Sequence, residues 1–157
     1  MGERARILVV DDDEGIRKVL AAILETEGYS VDTAKNGGEA IKKSNTKFYN
    51  LALIDFRLPD MDGTKLLTRM RGTTPKMRKI IITGYPTLQN ALEALNRGAD
   101  AYIMKPFDID KVLATIKEQL KEQREEKQYS QEKVKEFIET RVKELDEEKT
   151  VTHRGSR

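Results

Sequence analysis

The 157-residue sequence contains no cysteine and a single histidine. Without cysteine there can be no disulfide and no thiolate metal site. The one histidine, His153, lies near the C-terminal end, which excludes a catalytic triad and a histidine-rich metal centre. No apolar run approaches the length of a membrane span. The start, Met1 to Arg6, leads into only four apolar residues before a block of acids, which is too short for a signal peptide. Arg6 also breaks the myristoylation pattern, which wants Ser or Thr there. There is no G-x-x-x-x-G-K-[ST] loop to cradle a nucleotide, and no internal repeat. Nor does one sign of charge dominate: 29 Lys and Arg face 27 Asp and Glu, for a formal net charge of +2. Such a balance offers no basic stripe for direct nucleic-acid binding. The expectation is a soluble cytoplasmic protein with no membrane insertion.

What is present is an alternation of short apolar runs and helical patterns. Ile7 to Val10 is a β-branched run stopped by Asp11, Asp12, Asp13 and Glu14. Ile16, Val19, Leu20, Ile23 and Leu24 then fall at helical spacing. Asp13 and Glu14 sit where the helix dipole favours negative charge, and Gly28 suits the position just past the helix end. Tyr29 to Ala34 reads as a second strand. Asn36-Gly37-Gly38 reads as a turn and Glu39 to Ser44 as a short helix. Leu51 to Asp55 is a buried strand that ends on a carboxylate, with Pro59 and Gly63 marking its exit. Asp62 is expected to cap a helix running to about Arg71. Lys79 to Thr83 and Ala101 to Met104 complete the strands. Between them a helix begins at Thr87 and ends near Gly98. Asp108 is the expected cap of a last helix whose Val112, Leu113, Ile116 and Leu120 share one face.

Five strands alternating with five helices predict an α/β fold with a parallel sheet covered on both faces. Right-handed crossovers and the flavodoxin-like winding give the order 2-1-3-4-5. Ligands bind such sheets beyond the carboxyl ends of the strands, where the order reverses. That crevice would gather Asp11, Asp12 and Asp55. Two unit charges about 4 Å apart repel by about 4 kcal/mol at an effective dielectric near 20. The cluster therefore has to be protonated, paired or metal-bound. An all-oxygen set with open positions suits Mg²⁺. Lys105, at the end of the fifth strand, can bring a fixed positive charge to the crevice. Thr83, at the end of the fourth, can offer a hydroxyl to an oxyanion.

With these residues placed, the chain resembles the receiver domain of two-component response regulators over roughly residues 5 to 120. The resemblance is carried by Val9-Val10-Asp11-Asp12, Leu53-Ile54-Asp55 with Pro59 and Asp62-Gly63, Ile82-Thr83-Gly84, and Tyr102-Ile103-Met104-Lys105-Pro106-Phe107. It implies that Asp55 accepts a phosphoryl group from a sensor histidine kinase or a phosphotransfer protein. It implies that Asp12 ligates Mg²⁺ directly and Asp11 through water, with Asp55 and the main-chain carbonyl of Arg57 completing the protein ligands. Lys105 would pair with the carboxylate and then the phosphoryl group, its bond to Pro106 being cis and aiming the ammonium inward. Thr83 would bond the modified group, and Tyr102 would rotate inward behind it. The surface of the fourth helix, fifth strand and fifth helix would change for a downstream partner or a second copy. Arg57 and Tyr85 occupy positions that vary in the family; Tyr85 is expected to pack over the acyl phosphate and slow its hydrolysis. The enzymatic rival, an aspartyl-phosphate hydrolase, wants an Asp where Arg57 stands. Asp60 to Gly63 faintly resembles a calcium loop but lacks the closing Glu.

Three segments are expected: a receiver over 1–120, a charged helical extension over 121–149 and a disordered tail over 150–157. In the extension Val134, Phe137, Ile138, Val142 and Leu145 lie at helical spacing. Gln123, Lys127 and Ser130 would fall near a heptad seam and weaken it. The segment is a helix, or a helix pair broken at Tyr129-Ser130, that either pairs with another chain or stands solvated. The chain is either a stand-alone regulator or part of a longer one.

Overall fold

The computed structural model describes residues 4–70, 72–73 and 75–155. The chain falls into two units, the first ending at Lys121 and the second beginning at Glu122. The first unit alternates β1 (Arg6–Val10), α1 (Glu14–Thr26), β2 (Ser30–Ala34), α2 (Gly37–Thr46), β3 (Leu51–Asp55), α3 (Gly63–Arg69), β4 (Arg78–Thr83), α4 (Leu88–Asn96), β5 (Ala101–Met104) and the start of α5 (Ile109–Gly155). The strands form one sheet in the order β2-β1-β3-β4-β5, every pair parallel. The predicted order and the parallel pairing are therefore those observed.

Alternation along each strand sorts the core into two layers. Leu8, Val10, Ala52, Ile54 and Ile81 join Ala40, Leu66, Leu67 and Ala94 of α2, α3 and α4. Ile7, Val9, Leu51, Leu53, Ile80, Ile82 and Ile103 join Leu20 and Leu24 of α1 and Val112, Ile116 and Leu120 of α5. Both faces of β3 and β4 are covered, which is why these strands read as unbroken apolar runs rather than as alternations. Each such aliphatic side chain gains roughly 1.5–3 kcal/mol on burial, so the sheet is a stiff platform.

The caps explain where the helices start. The Asp13 carboxylate accepts the Ile16 N–H, and the Thr87 hydroxyl accepts the Asn90 N–H. The Asp108 carboxylate accepts the Asp110 N–H at 2.9 Å. Gly28 and Gly98 have φ of +96° and +104°, the left-handed geometry that ends a helix cheaply only with glycine.

Four expectations need correction. Asn36-Gly37-Gly38 is not a turn: Asn36 caps α2 by accepting the Glu39 N–H, and both glycines lie in its first turn. Asp62 stands at the cap position of α3 but makes no side-chain cap bond. That helix ends at Arg69, and Arg71, its expected end, lies outside the described residues. The tail over 150–157 was expected to be disordered, whereas α5 runs unbroken through Tyr129-Ser130 and on to Gly155; residues 156–157 lie outside the described residues. No proline interrupts the chain after Pro106, and exposed pairs such as Lys135–Glu139 at 4.0 Å and Arg141–Glu144 at 3.2 Å support a helix that lacks a core of its own.

Candidate functional site

The sheet's hydrogen-bond ladder does not stop at the strand ends. The Asp11 N–H donates to Ala34 O at 3.1 Å, Phe56 N–H to Ile82 O at 2.9 Å, and Lys105 N–H to Thr83 O at 2.7 Å. The residues just beyond β1, β3 and β5 thus carry the ladder one step further. The side chains of Asp11, Asp12 and Lys105 meet that of Asp55, the last residue of β3, at one notch. Carboxylate oxygens of Asp11, Asp12 and Asp55 lie within 4.8 Å of one another. Lys105 Nζ stands 3.3 Å from Asp11 Oδ2 and 3.3 Å from Asp55 Oδ1. Asp11 and Asp55 are buried, at 4% and 9% exposure, while Asp12 is exposed.

The electrostatics follow from that crowding. Burial raises the Asp55 carboxyl above its ordinary value, and the neighbouring Asp11 charge raises it further; Lys105 opposes both and Asp12 adds to them. Burial also works against the Lys105 ammonium, but Asp11 and Asp55 together outweigh it and hold the group above its usual value. Three carboxylates against one ammonium leave two formal negative charges at the notch. A divalent cation with oxygen preference fits that deficit, and the donor set is the kind Mg²⁺ takes, a few carboxylates with room for water.

The other sequence candidates lie around this centre. Thr83 is fully buried at the end of β4, and its hydroxyl accepts the Tyr85 N–H at 2.9 Å. Tyr102 packs against the α2–α4 core layer. Burial holds its hydroxyl above the ordinary tyrosine value, and the nearby Thr83 hydroxyl opposes part of this. Among the described residues, no hydrogen bond of good geometry reaches that oxygen. The Lys105–Pro106 bond is cis. The Arg57 guanidinium stacks over the Tyr85 ring, 3.7 Å from its centroid.

Three features escaped the sequence reading. Arg17 donates from Nη1 to the Asp11 carbonyl at 2.7 Å, bracing the acidic turn. The Asp60 carboxylate accepts the Gly37 and Gly38 N–H groups, each at 2.9 Å, and these bonds hold its carboxyl below the ordinary value. This clasp ties the β3–α3 loop to the first turn of α2. A Cβ on Gly37 would stand 2.5 Å from the Met61 sulfur, and one on Gly63 2.7 Å from the Asp55 carbonyl. The Gly-Gly pair after Asn36 was the available signal, since it marks a close approach; nothing local in sequence pairs it with Asp60.

A sheet wound in this order, with a lysine set against an acidic notch at its carboxyl edge, defines a receiver-type switch. The sequence agrees: residues 7–117 match the response regulator receiver domain family, and the chain belongs to that family of two-component response regulators. The transcriptional regulatory protein ZraR of Klebsiella oxytoca is 40% identical over 119 residues, which is 76% of this chain and 27% of that protein. A CheY-like receiver domain protein from Methanospirillum hungatei JF-1 superposes with a TM-score of 0.76 at 49% identity, covering 79% of this chain and 99% of that one. The beryllofluoride-activated NtrC4 receiver domain dimer gives 0.70 at 40% identity, covering 75% and 98%. The chain spans between a quarter and about half of the length of the curated relatives it matches. Among the described residues, no helix is long and apolar enough to cross a membrane.

Proposed function

We propose that this receiver is switched by transfer of a phosphoryl group to Asp55 from a sensor histidine kinase or a phosphotransfer protein. The observation that carries the reading is the convergence of Asp11, Asp12 and Asp55 within 4.8 Å, with Lys105 Nζ 3.3 Å from two of them. Asp11, Asp12 and Asp55, with the Arg57 main-chain carbonyl, would hold Mg²⁺. When bound, that ion would neutralise the charge of the incoming phosphoryl oxygens. Phosphoryl transfer needs in-line positioning and charge neutralisation more than proton chemistry. An Asp55 oxygen attacks phosphorus, the P–N bond to the donor imidazole breaks, and the acyl phosphate forms. Lys105, already bridging Asp11 and Asp55, offers its ammonium to the new oxygens. The Thr83 hydroxyl, which accepts the Tyr85 N–H, donates its own proton to a phosphoryl oxygen, and Tyr102 follows into the space behind it. The added charge biases a two-state element, here the surface of α4, β5 and the start of α5. Leu88, Leu92, Leu95 and Met104 on that surface are each at least half exposed, as a docking face for a downstream protein or a second copy requires.

A hydrolase that turns over external phosphomonoesters would need an acid at position 57. Arg57 stands there instead, its side chain committed to Tyr85. The output lies in protein contact rather than external catalysis. The test is incubation with acetyl phosphate and Mg²⁺, read by intact mass. One phosphoryl group, roughly 80 Da, is expected on the wild type and none on Asp55→Asn. An unlabelled wild type beside a labelled control receiver, or equal labelling of the variant, overturns the proposal.

A further inference from the structure

We infer that Arg17 is a positioning residue for the cation: by fixing the backbone that carries Asp12, it sets how tightly and how selectively the notch takes Mg²⁺. The inference rests on the metal reading given above. Asp12 is exposed, yet one of its carboxylate oxygens lies within 4.8 Å of oxygens of Asp11 and Asp55. Like charges at that range repel one another. A turn free to move would swing Asp12 outward into water and leave the cation one ligand short.

The backbone on both sides of Asp12 is tied down instead. Before it, the Asp11 carbonyl accepts Arg17 Nη1 at 2.7 Å. After it, the Asp13 N–H donates to Asp11 Oδ1 at 2.9 Å, while Asp11 Oδ2 faces Lys105 Nζ at 3.3 Å. These bonds hold the two rigid peptide planes that meet at Asp12, which leaves the side-chain torsions as its main freedom. Arg17 is itself anchored. It lies in α1, whose start is capped by the Asp13 carboxylate, and its own N–H donates to the Asp13 carbonyl at 3.0 Å. Leu20 and Leu24 of the same helix are buried in the core. The tie thus runs from a packed helix, through a guanidinium, to the acidic turn. Groups that orient a metal's ligands raise its affinity. Mg²⁺ demands near-ideal octahedral geometry, whereas Ca²⁺ accepts flexible surroundings, so loss of the tie costs Mg²⁺ more than Ca²⁺.

Arg17→Met keeps the apolar stem and removes the donor. Calorimetric titration of the full chain is expected to show roughly tenfold weaker Mg²⁺ binding than in the wild type, with Ca²⁺ binding weakened several-fold less. Removal of a positive charge by itself favours a cation, so the direction of the change separates lost orientation from lost charge. Arg17→Gln, shorter and uncharged, is expected to behave alike and carries the comparison where the Met variant fails to fold. In the metal-free proteins, the Asp13 amide is expected to exchange with deuterium several-fold faster in either variant, because the turn that holds its acceptor has lost its brace. Unchanged or tighter Mg²⁺ binding overturns the inference. Equal loss for both ions overturns it too, since a softened fold penalises them alike, and so does unchanged exchange at Asp13. A wild type that binds neither ion overturns the metal reading and the inference with it, whereas wild-type binding that survives the substitution overturns the inference alone.

Discussion

At Asp55 the charge that the proposed phosphoryl transfer needs is the charge the fold resists. A carboxyl whose folded value is raised lends stability while protonated, below the ordinary carboxylate range, and loses it as pH rises through the folded value. At neutral pH the ionised Asp55 therefore weighs on the metal-free protein. Asp55→Asn is expected to raise the metal-free melting temperature at pH 7 by about 2–4 °C, the effect of roughly 1 kcal/mol in a chain of this size. Added Mg²⁺ should raise the wild-type midpoint and leave that of the variant nearly unmoved. Thermal melts at pH 4.5 and pH 7 check the sign, because the advantage of the variant should shrink at the lower pH. Tyr85 offers a second residue-scale expectation. Its ring lies under the Arg57 guanidinium, and the two residues come two positions after Thr83 and Asp55 of the proposed site. Tyr85→Ala should speed loss of the phosphoryl group by roughly three- to tenfold, worth about 1 kcal/mol of barrier. A time course of intact mass after donor removal reads it, and an unchanged or slower rate would count against the cover.

At the scale of elements, the β3–α3 loop is the piece most exposed to substitution. Gly63 N–H donates to Phe56 O, Leu58 N–H donates to Met61 O, and Asp60 fastens the loop to α2. Asp60→Ala is expected to cost about 1 kcal/mol, the usual loss on removing a carboxylate from a helix N-terminus. It should also weaken Mg²⁺ binding, since Arg57 rides on the same loop. Denaturant unfolding and a metal titration separate the two effects. Gly63→Ala should cost more, about 2 kcal/mol or above, because its Cβ would meet backbone at 2.7 Å rather than a side chain that can turn aside. The strands and their order were legible in the sequence because burial on both faces writes itself as unbroken apolar runs. Asp11, Asp12, Asp55, Thr83 and Lys105 were legible because each directly ends or follows a strand. The Asp60 clasp was not: its partners are 22 and 23 residues away, and periodicity carries no information about such pairings. The start of α2 was misread for the same reason, since two glycines look like a turn until distant groups satisfy their N–H groups.

At the scale of the whole molecule, the two units answer to different physics. Residues up to Lys121 hold a two-layered core, whereas in the second unit Tyr129, Val134, Phe137, Ile138, Val142 and Leu145 are exposed. Removing residues 128–157 is accordingly expected to leave the rate of Asp55 labelling within about twofold of the full chain, a change in barrier of less than 1 kcal/mol. Side-by-side time courses with acetyl phosphate check it. The helix over 121–149 was legible in the helical spacing of Val134, Phe137, Ile138, Val142 and Leu145, whereas its continuation to Gly155 follows a stretch where that apolar spacing gives out.

The ladder that continues past the strand ends has a kinetic meaning. The amide hydrogens of Asp11, Phe56 and Lys105 are each bonded to a carbonyl of the neighbouring strand or its end. They should exchange with deuterium only as rarely as the sheet itself opens. The cation's berth would then be ready-made, and occupancy would proceed at the pace of diffusion and ion dehydration, without waiting for the backbone to rearrange.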